Sequence, residues 1–260
     1  MAKKRLIFSL LWSEGHFMLS RNFRLQKIGN LEWLNQNYNF ETVSRHIDEL
    51  VILNVSRSDD GHWPGFLETV QVLSQRNFVP ISVGGFGPYL DRAGSLLRSG
   101  ADKLVINKAL FTNISFVENV VERFGRQSVV GSIDLKASPD GTYYPYFPMG
   151  VPDQVGHFSK GWEGAIPNHL VGELMVRSVD RDGTGQGLDV QLLANLPANW
   201  QSVPVIAAGG VGKPGHIIEG FSHPSVEAVA TANLLNFIGD GLEKARDECV
   251  SAGVDLARWA

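Results

Sequence analysis

An apolar run closing on paired glycines occurs twice, half a chain apart. Val83-Gly84-Gly85, followed by Ala101-Asp102-Lys103-Leu104-Val105-Ile106-Asn107, returns as Ala208-Gly209-Gly210, followed by Val226-Glu227-Ala228-Val229-Ala230-Thr231-Ala232-Asn233. Gly84 and Gly209 stand 125 positions apart (209 − 84) in a chain of 260 residues. Self-similarity at that spacing predicts one structural unit used twice, hence two similar halves. In each half the glycines stand at the mouth of a helix, where free backbone N–H groups hold phosphate. Two such turns facing each other would grip a substrate with a phosphate at each end. Nearly the same offset sets Ile133-Asp134 against Leu10-Leu11 (134 − 11 = 123), so only one of two matched slots carries a carboxylate.

Short apolar, β-branched runs recur with helix-like stretches between them, the pattern of parallel strands buried on both faces. Eight are predicted, at 5–10, 49–54, 79–83, 103–107, 128–134, 173–178, 203–207 and 228–232. Eight strand and helix units closing on themselves give an α/β fold, a TIM (β/α)8 barrel, expected to span residues 1–260 as one domain. Helices are predicted at 65–75, 89–99 and 113–124. Residues 138–169, rich in Pro, Gly and aromatic side chains, make a poor helix apart from a stretch near 155–163. They predict a long loop over the active face, either an irregular cover or a substrate lid.

Charge and cysteine content exclude several classes. Lys and Arg number 23 against 27 Asp and Glu, a formal net charge of −4 with no block of like charge, so neither nucleic acid nor an anionic membrane is an expected partner. Cys249 is the only cysteine, which rules out an internal disulfide. The basic and apolar start at 3–12 lacks a cleavage pattern and reads as a buried first strand, and no segment has the roughly 18 apolar residues of a membrane span. A cytoplasmic protein is expected. The seven histidines show no ligand spacing, so no metal site and no cofactor is implied.

In a barrel, chemistry sits where strands end at their C-termini. Asp134 closes the fifth run, and Lys136 two residues on points to the same side, where its ammonium would keep the carboxylate ionised for acid or base work. An ion pair at a strand end is the structural alternative. In 178–185, Asp182 could orient a ligand hydroxyl, and Gly183 and Thr184 offer an N–H and a hydroxyl to phosphate; a plain turn is the alternative. Gly84, Gly85 and Asn107 recur as Gly209, Gly210 and Asn233, with Ala232 beside the last, and Lys108 adds a positive charge to the first site.

The segments SVDRDGTGQGLD (178–189), GADKLVIN (100–107), SIDLK (132–136) and AAGGVGK (207–213) resemble the signatures of the cyclase subunit of imidazole glycerol phosphate synthase, a histidine-biosynthesis barrel fed with ammonia by a glutaminase. The resemblance covers nearly the whole chain. It implies that Asp134 is one of two catalytic aspartates and that Asp182, Gly183, Gly210 and Asn107 lie in phosphate sites. It also implies that Arg5, Glu49, Lys103 and Glu173 ring the ammonia entrance and that Asp102 docks the glutaminase. Leu11 stands where the family has its second catalytic aspartate, which predicts impaired cyclisation, since an alkyl group moves no proton. Ser9, Leu19, Asn54 and Phe86 also depart from the family's cysteine, lysine, aspartate and glycine. The Leu-Leu pair is similar to cyclase-like proteins that accompany sugar amidotransferases in surface-polysaccharide or nonulosonic-acid pathways. The implied partners are a glutaminase in a heterodimer, a phosphorylated small molecule and a sugar amidotransferase. The readings left open are an authentic cyclase and a non-catalytic scaffold.

Overall fold

The first strand shows how the barrel is built. In the computed structural model, β1 (Arg5–Ser13) turns Leu6, Phe8, Leu10 and Trp12 outward into a helix-covered core, while Ile7 and Leu11 belong to a second apolar cluster inside the sheet. Alternation with both faces buried demands cover on both sides, and closure of the sheet supplies the inner one. The structure describes residues 3–38, 43–57, 61–148, 167–197, 200, 202–233, 237 and 239–257.

Seven further parallel strands follow: β4 (Glu49–Asn54), β5 (Ile81–Gly84), β6 (Lys103–Ile106), β7 (Val129–Ala137), β9 (Glu173–Ser178), β10 (Val205–Ala208) and β11 (Val226–Thr231). They hydrogen-bond in that order, and β11 returns to β1 with Arg5 opposite Ala228 and Ile7 opposite Ala230. The fold is therefore a closed eight-stranded TIM barrel, as the spacing predicts. Helices α1 (Leu31–Asn37), α2 (Trp63–Arg76), α3 (Leu90–Arg98), α4 (Ala109–Thr112), α5 (Ile114–Phe124), α6 (Val190–Ala194), α7 (Pro214–Ser222) and α8 (Gly241–Ser251) run between and after the strands. Local chemistry fixes their ends. Asn113 caps α5 by accepting from the Phe116 N–H, and Gly125 ends it at φ 86°.

The halves match in a way that strand counting missed. β1 and β7 are each nine residues long and overrun the barrel to pair antiparallel with an appended strand, β2 (His16–Arg21) on β1 and β8 (Tyr143–Pro145) on β7. β2 continues into β3 (Arg24–Gly29) through Asn22 and Phe23, both at positive φ. The hairpin 16–29 was not predicted because Asn-Phe is not a turn signature and neither strand alternates cleanly. The predicted helical stretch at 155–163 lies outside the described residues.

Candidate functional site: a cavity at one end of the barrel, a charged ring at the other

A cavity of about 960 Å³ opens at the C-terminal ends of the strands. Both glycine turns line it, Gly84-Gly85 and Gly209-Gly210, as do Asn107, Lys108, Asp134, Asp182, Gly183, Ala232 and Asn233. These glycines have a backbone reason to exist. A Cβ on Gly85 would sit 2.0 Å from the Asn54 carbonyl oxygen, and one on Gly210 would sit 2.0 Å from that of Gly187. Phe86, directly after the first glycine pair, is buried and tilted against Phe116 at 6.3 Å. Lys136 and Thr184 lie outside the lining. The Thr184 hydroxyl donates to the Arg181 carbonyl at 2.8 Å within its own turn, and Lys136 lies 5.6 Å over the Tyr146 ring.

The charge beside Asp134 comes from a residue that sequence reasoning passed over. Arg177, opposite Asp134 on the neighbouring strand β9, places its guanidinium 3.1 Å from Oδ1, while Asn107 donates to Oδ2 at 2.9 Å. Lys136 is therefore not the partner of Asp134. Burial pushes the Asp134 carboxyl above its ordinary range, against the opposing pull of Arg177 and the Asn107 hydrogen bond. Arg177 was legible: it is the one cation in the run 173–178, and it shares the inward face with Glu173 and Met175.

Asp182 ties two loops together. Its Oδ2 accepts from the Ser20 hydroxyl at 2.5 Å and the Phe23 N–H at 3.1 Å, so the β2–β3 hairpin is held over the cavity, which Ser20, Arg21, Phe23 and Arg24 also line. Leu11 stands in the wall within the inner apolar cluster, against which Met18 and Leu25 pack. Among the described residues, Asp134 and Asp182 are the only carboxylates of the lining.

At the opposite end, Arg5, Glu49, Lys103 and Glu173 close into one ring. Arg5 reaches Glu49 at 2.6 Å and Glu173 at 2.5 Å, and Lys103 reaches the same two at 3.0 and 2.9 Å. Ser82 donates to the second Glu49 oxygen at 2.5 Å. Burial would raise the Glu173 carboxyl, but Arg5 and Lys103 outweigh it and hold it below its ordinary range. Ile7, Val51, Val130, Met175, Ile206 and Ala228, all buried, line the barrel between its charged ends. Asp102 is exposed on the ring's side of the barrel and accepts from the Ile81 N–H at 2.8 Å. No group of His, Cys, Asp and Glu among the described residues could hold a metal, and no described helix is long and apolar enough to cross a membrane.

The pattern of the histidine biosynthesis protein family matches residues 34–256. The chain belongs to that family. It is 41% identical over its whole length, and 95% of the relative's, to a Parasynechococcus marenigrum protein provisionally named imidazole glycerol phosphate synthase subunit hisF2. Over 95% of its length, and 97% of the relative's, it is 32% identical to the imidazole glycerol phosphate synthase subunit HisF of Bacillus cereus. A Staphylococcus aureus HisF is 32% identical over 91% of the chain and 92% of its own length. These likenesses place the chain among HisF-type cyclase subunits.

Proposed function

We propose that the chain is a HisF-like subunit of a glutamine amidotransferase complex. In this reading a HisH-like glutaminase docks at the N-terminal end of the barrel beside Asp102. Ammonia enters through the ring of Arg5, Glu49, Lys103 and Glu173, crosses the apolar interior as a neutral molecule, and supports amidation of a sugar at the cavity. The pathways that fit are surface-polysaccharide and nonulosonic-acid biosynthesis, with a sugar amidotransferase as a further partner. One observation carries the reading. The four-membered ring is complete, while Leu11 stands in the wall where a second acid would be needed, and both carboxylates that line the cavity are already engaged, Asp134 by Arg177 and Asn107 and Asp182 by Ser20 and Phe23. Cyclisation needs paired proton-moving groups, whereas passage of ammonia does not.

Two measurements test it. The purified chain supplied with ammonium salts and the ribulosyl precursor of imidazole glycerol phosphate is expected to turn over poorly; a rate near that of ordinary family members overturns the reading. In the complex reconstituted with its glutaminase, Lys103→Ala is expected to abolish glutamine-dependent product while ammonium-dependent product persists. Equal loss of both contradicts a conduit.

A further inference from the structure

The cavity holds buried polar groups whose hydrogen-bonding capacity is not used up. Arg177 carries five N–H donors on a side chain only 15% exposed. One terminal nitrogen meets Asp134, and the other meets only the Met175 thioether at 3.6 Å, a weak acceptor. Ser9, 3% exposed and lining the same cavity, has a hydroxyl with no hydrogen-bond partner among the described residues. A buried polar group left unmet is destabilising, so unspent donors on one cavity point to a ligand that supplies acceptors.

The charge balance gives the sign of that ligand. Arg21, Arg24, Arg57, Lys108 and Arg177 line the cavity against two carboxylates, and both carboxylates are engaged, Asp134 by Arg177 and Asn107, Asp182 by Ser20 and Phe23. An entering anion therefore meets a positive field. Arg177 lies on strand β9 opposite Ala208, one residue short of the Gly209-Gly210 turn, so it acts from the barrel wall and not from the rim where the glycine turns lie. A planar guanidinium fixed by a carboxylate behind it suits a planar anion in front.

We propose that Arg177, positioned by Asp134, anchors a carboxylate of the substrate low in the cavity, with the Ser9 hydroxyl as a second contact. The substrate class is then an acidic sugar, which rests on the amidation reading above. Asp134 is a positioning residue in this assignment, since its two oxygens face Arg177 and Asn107.

Titration calorimetry with N-acetylneuraminate, its methyl ester and inorganic phosphate tests the assignment on the intact chain. The acid is expected to bind at least about tenfold more tightly than the ester. Arg177→Lys keeps a cation for Asp134 but lacks the fork, and it is expected to erase most of that preference while leaving phosphate affinity within about twofold. Asp134→Ala should reduce the preference too, with Asp134→Asn restoring part of it. Wild-type protein that does not prefer acid over ester, including by binding neither, overturns the proposal, as does an Arg177→Lys chain that loses phosphate and keeps the preference. The Lys103→Ala assay reads the ammonia route independently. A chain that passes that assay without a carboxylate preference keeps the proposed function and loses only this inference.

Discussion

Glu49 is 1% exposed and answers Arg5, Lys103 and Ser82 at once, so its charge is the hinge of the ring. Glu49→Gln leaves two largely buried cations sharing Glu173, and loss of one partner from a buried ion network costs about 3–5 kcal/mol. Urea titration should show that loss as a lower midpoint at unchanged slope. Glu173 makes the ring sensitive to acid. Its carboxyl lies below the ordinary range, so fewer protons are bound in the folded state than in the unfolded state as pH falls through the ordinary value of about 4.3. The contribution is full above that value and is lost as pH drops through the depressed folded one. Stability of the wild-type chain measured from pH 7 to pH 3 should therefore fall more steeply below about pH 4.3 than that of Glu173→Gln. Matching profiles would show that the ring does not hold this carboxylate ionised.

The β2–β3 hairpin depends on one side chain from another loop. Asp182 accepts from Ser20 and Phe23, and the Asp182 carbonyl takes the Asn22 N–H at 2.9 Å. Gly183 fits beneath it because any Cβ would lie 1.9 Å from the Ser20 carbonyl oxygen. Hydrogen bonds to a charged acceptor are worth about 1.5–3 kcal/mol, so Asp182→Ala should speed amide hydrogen exchange in 16–29 by about tenfold or more and leave β4 unchanged. Uniform acceleration across the barrel would mean that Asp182 supports the whole fold and not the hairpin. This contact also marks where sequence stopped being informative. The eight strands and the paired glycine turns were legible because buried runs and punctuating glycines are local signals, whereas the four ring residues came from the family resemblance and not from any local pattern. The hairpin was not, since its turn residues Asn22 and Phe23 are stabilised from 160 residues away (182 − 22), and no local pattern records a distant acceptor. The pairing of Asp134 with Arg177 escaped for a similar reason: Lys136 was near in sequence, whereas strand pairing made Arg177 near in space.

Across the molecule, chemistry is kept at the two ends of the barrel and the middle is apolar, so each end can be perturbed while the other is read. Closure makes that separation possible, and the last helix secures it from outside. Arg246 on α8 grips Asp48 through two bonds of 3.0 Å, and Asp48 also accepts the Leu6 N–H of β1 at 2.8 Å. Nearby, the Lys4 N–H donates to the Asp255 carbonyl at 2.9 Å, so the segment leading into β1 meets the segment after α8 beside the seam where β11 returns to β1. Arg246→Met strands a carboxylate that is 6% exposed, at a cost of about 3–5 kcal/mol, whereas adding Asp48→Asn removes the stranded charge and should recover part of it. Because the seam belongs to the whole closed sheet, the loss should appear as one cooperative transition with an unchanged denaturant slope. A separate early transition confined to α8 would mean that the helix is an attachment and that the barrel closes without it.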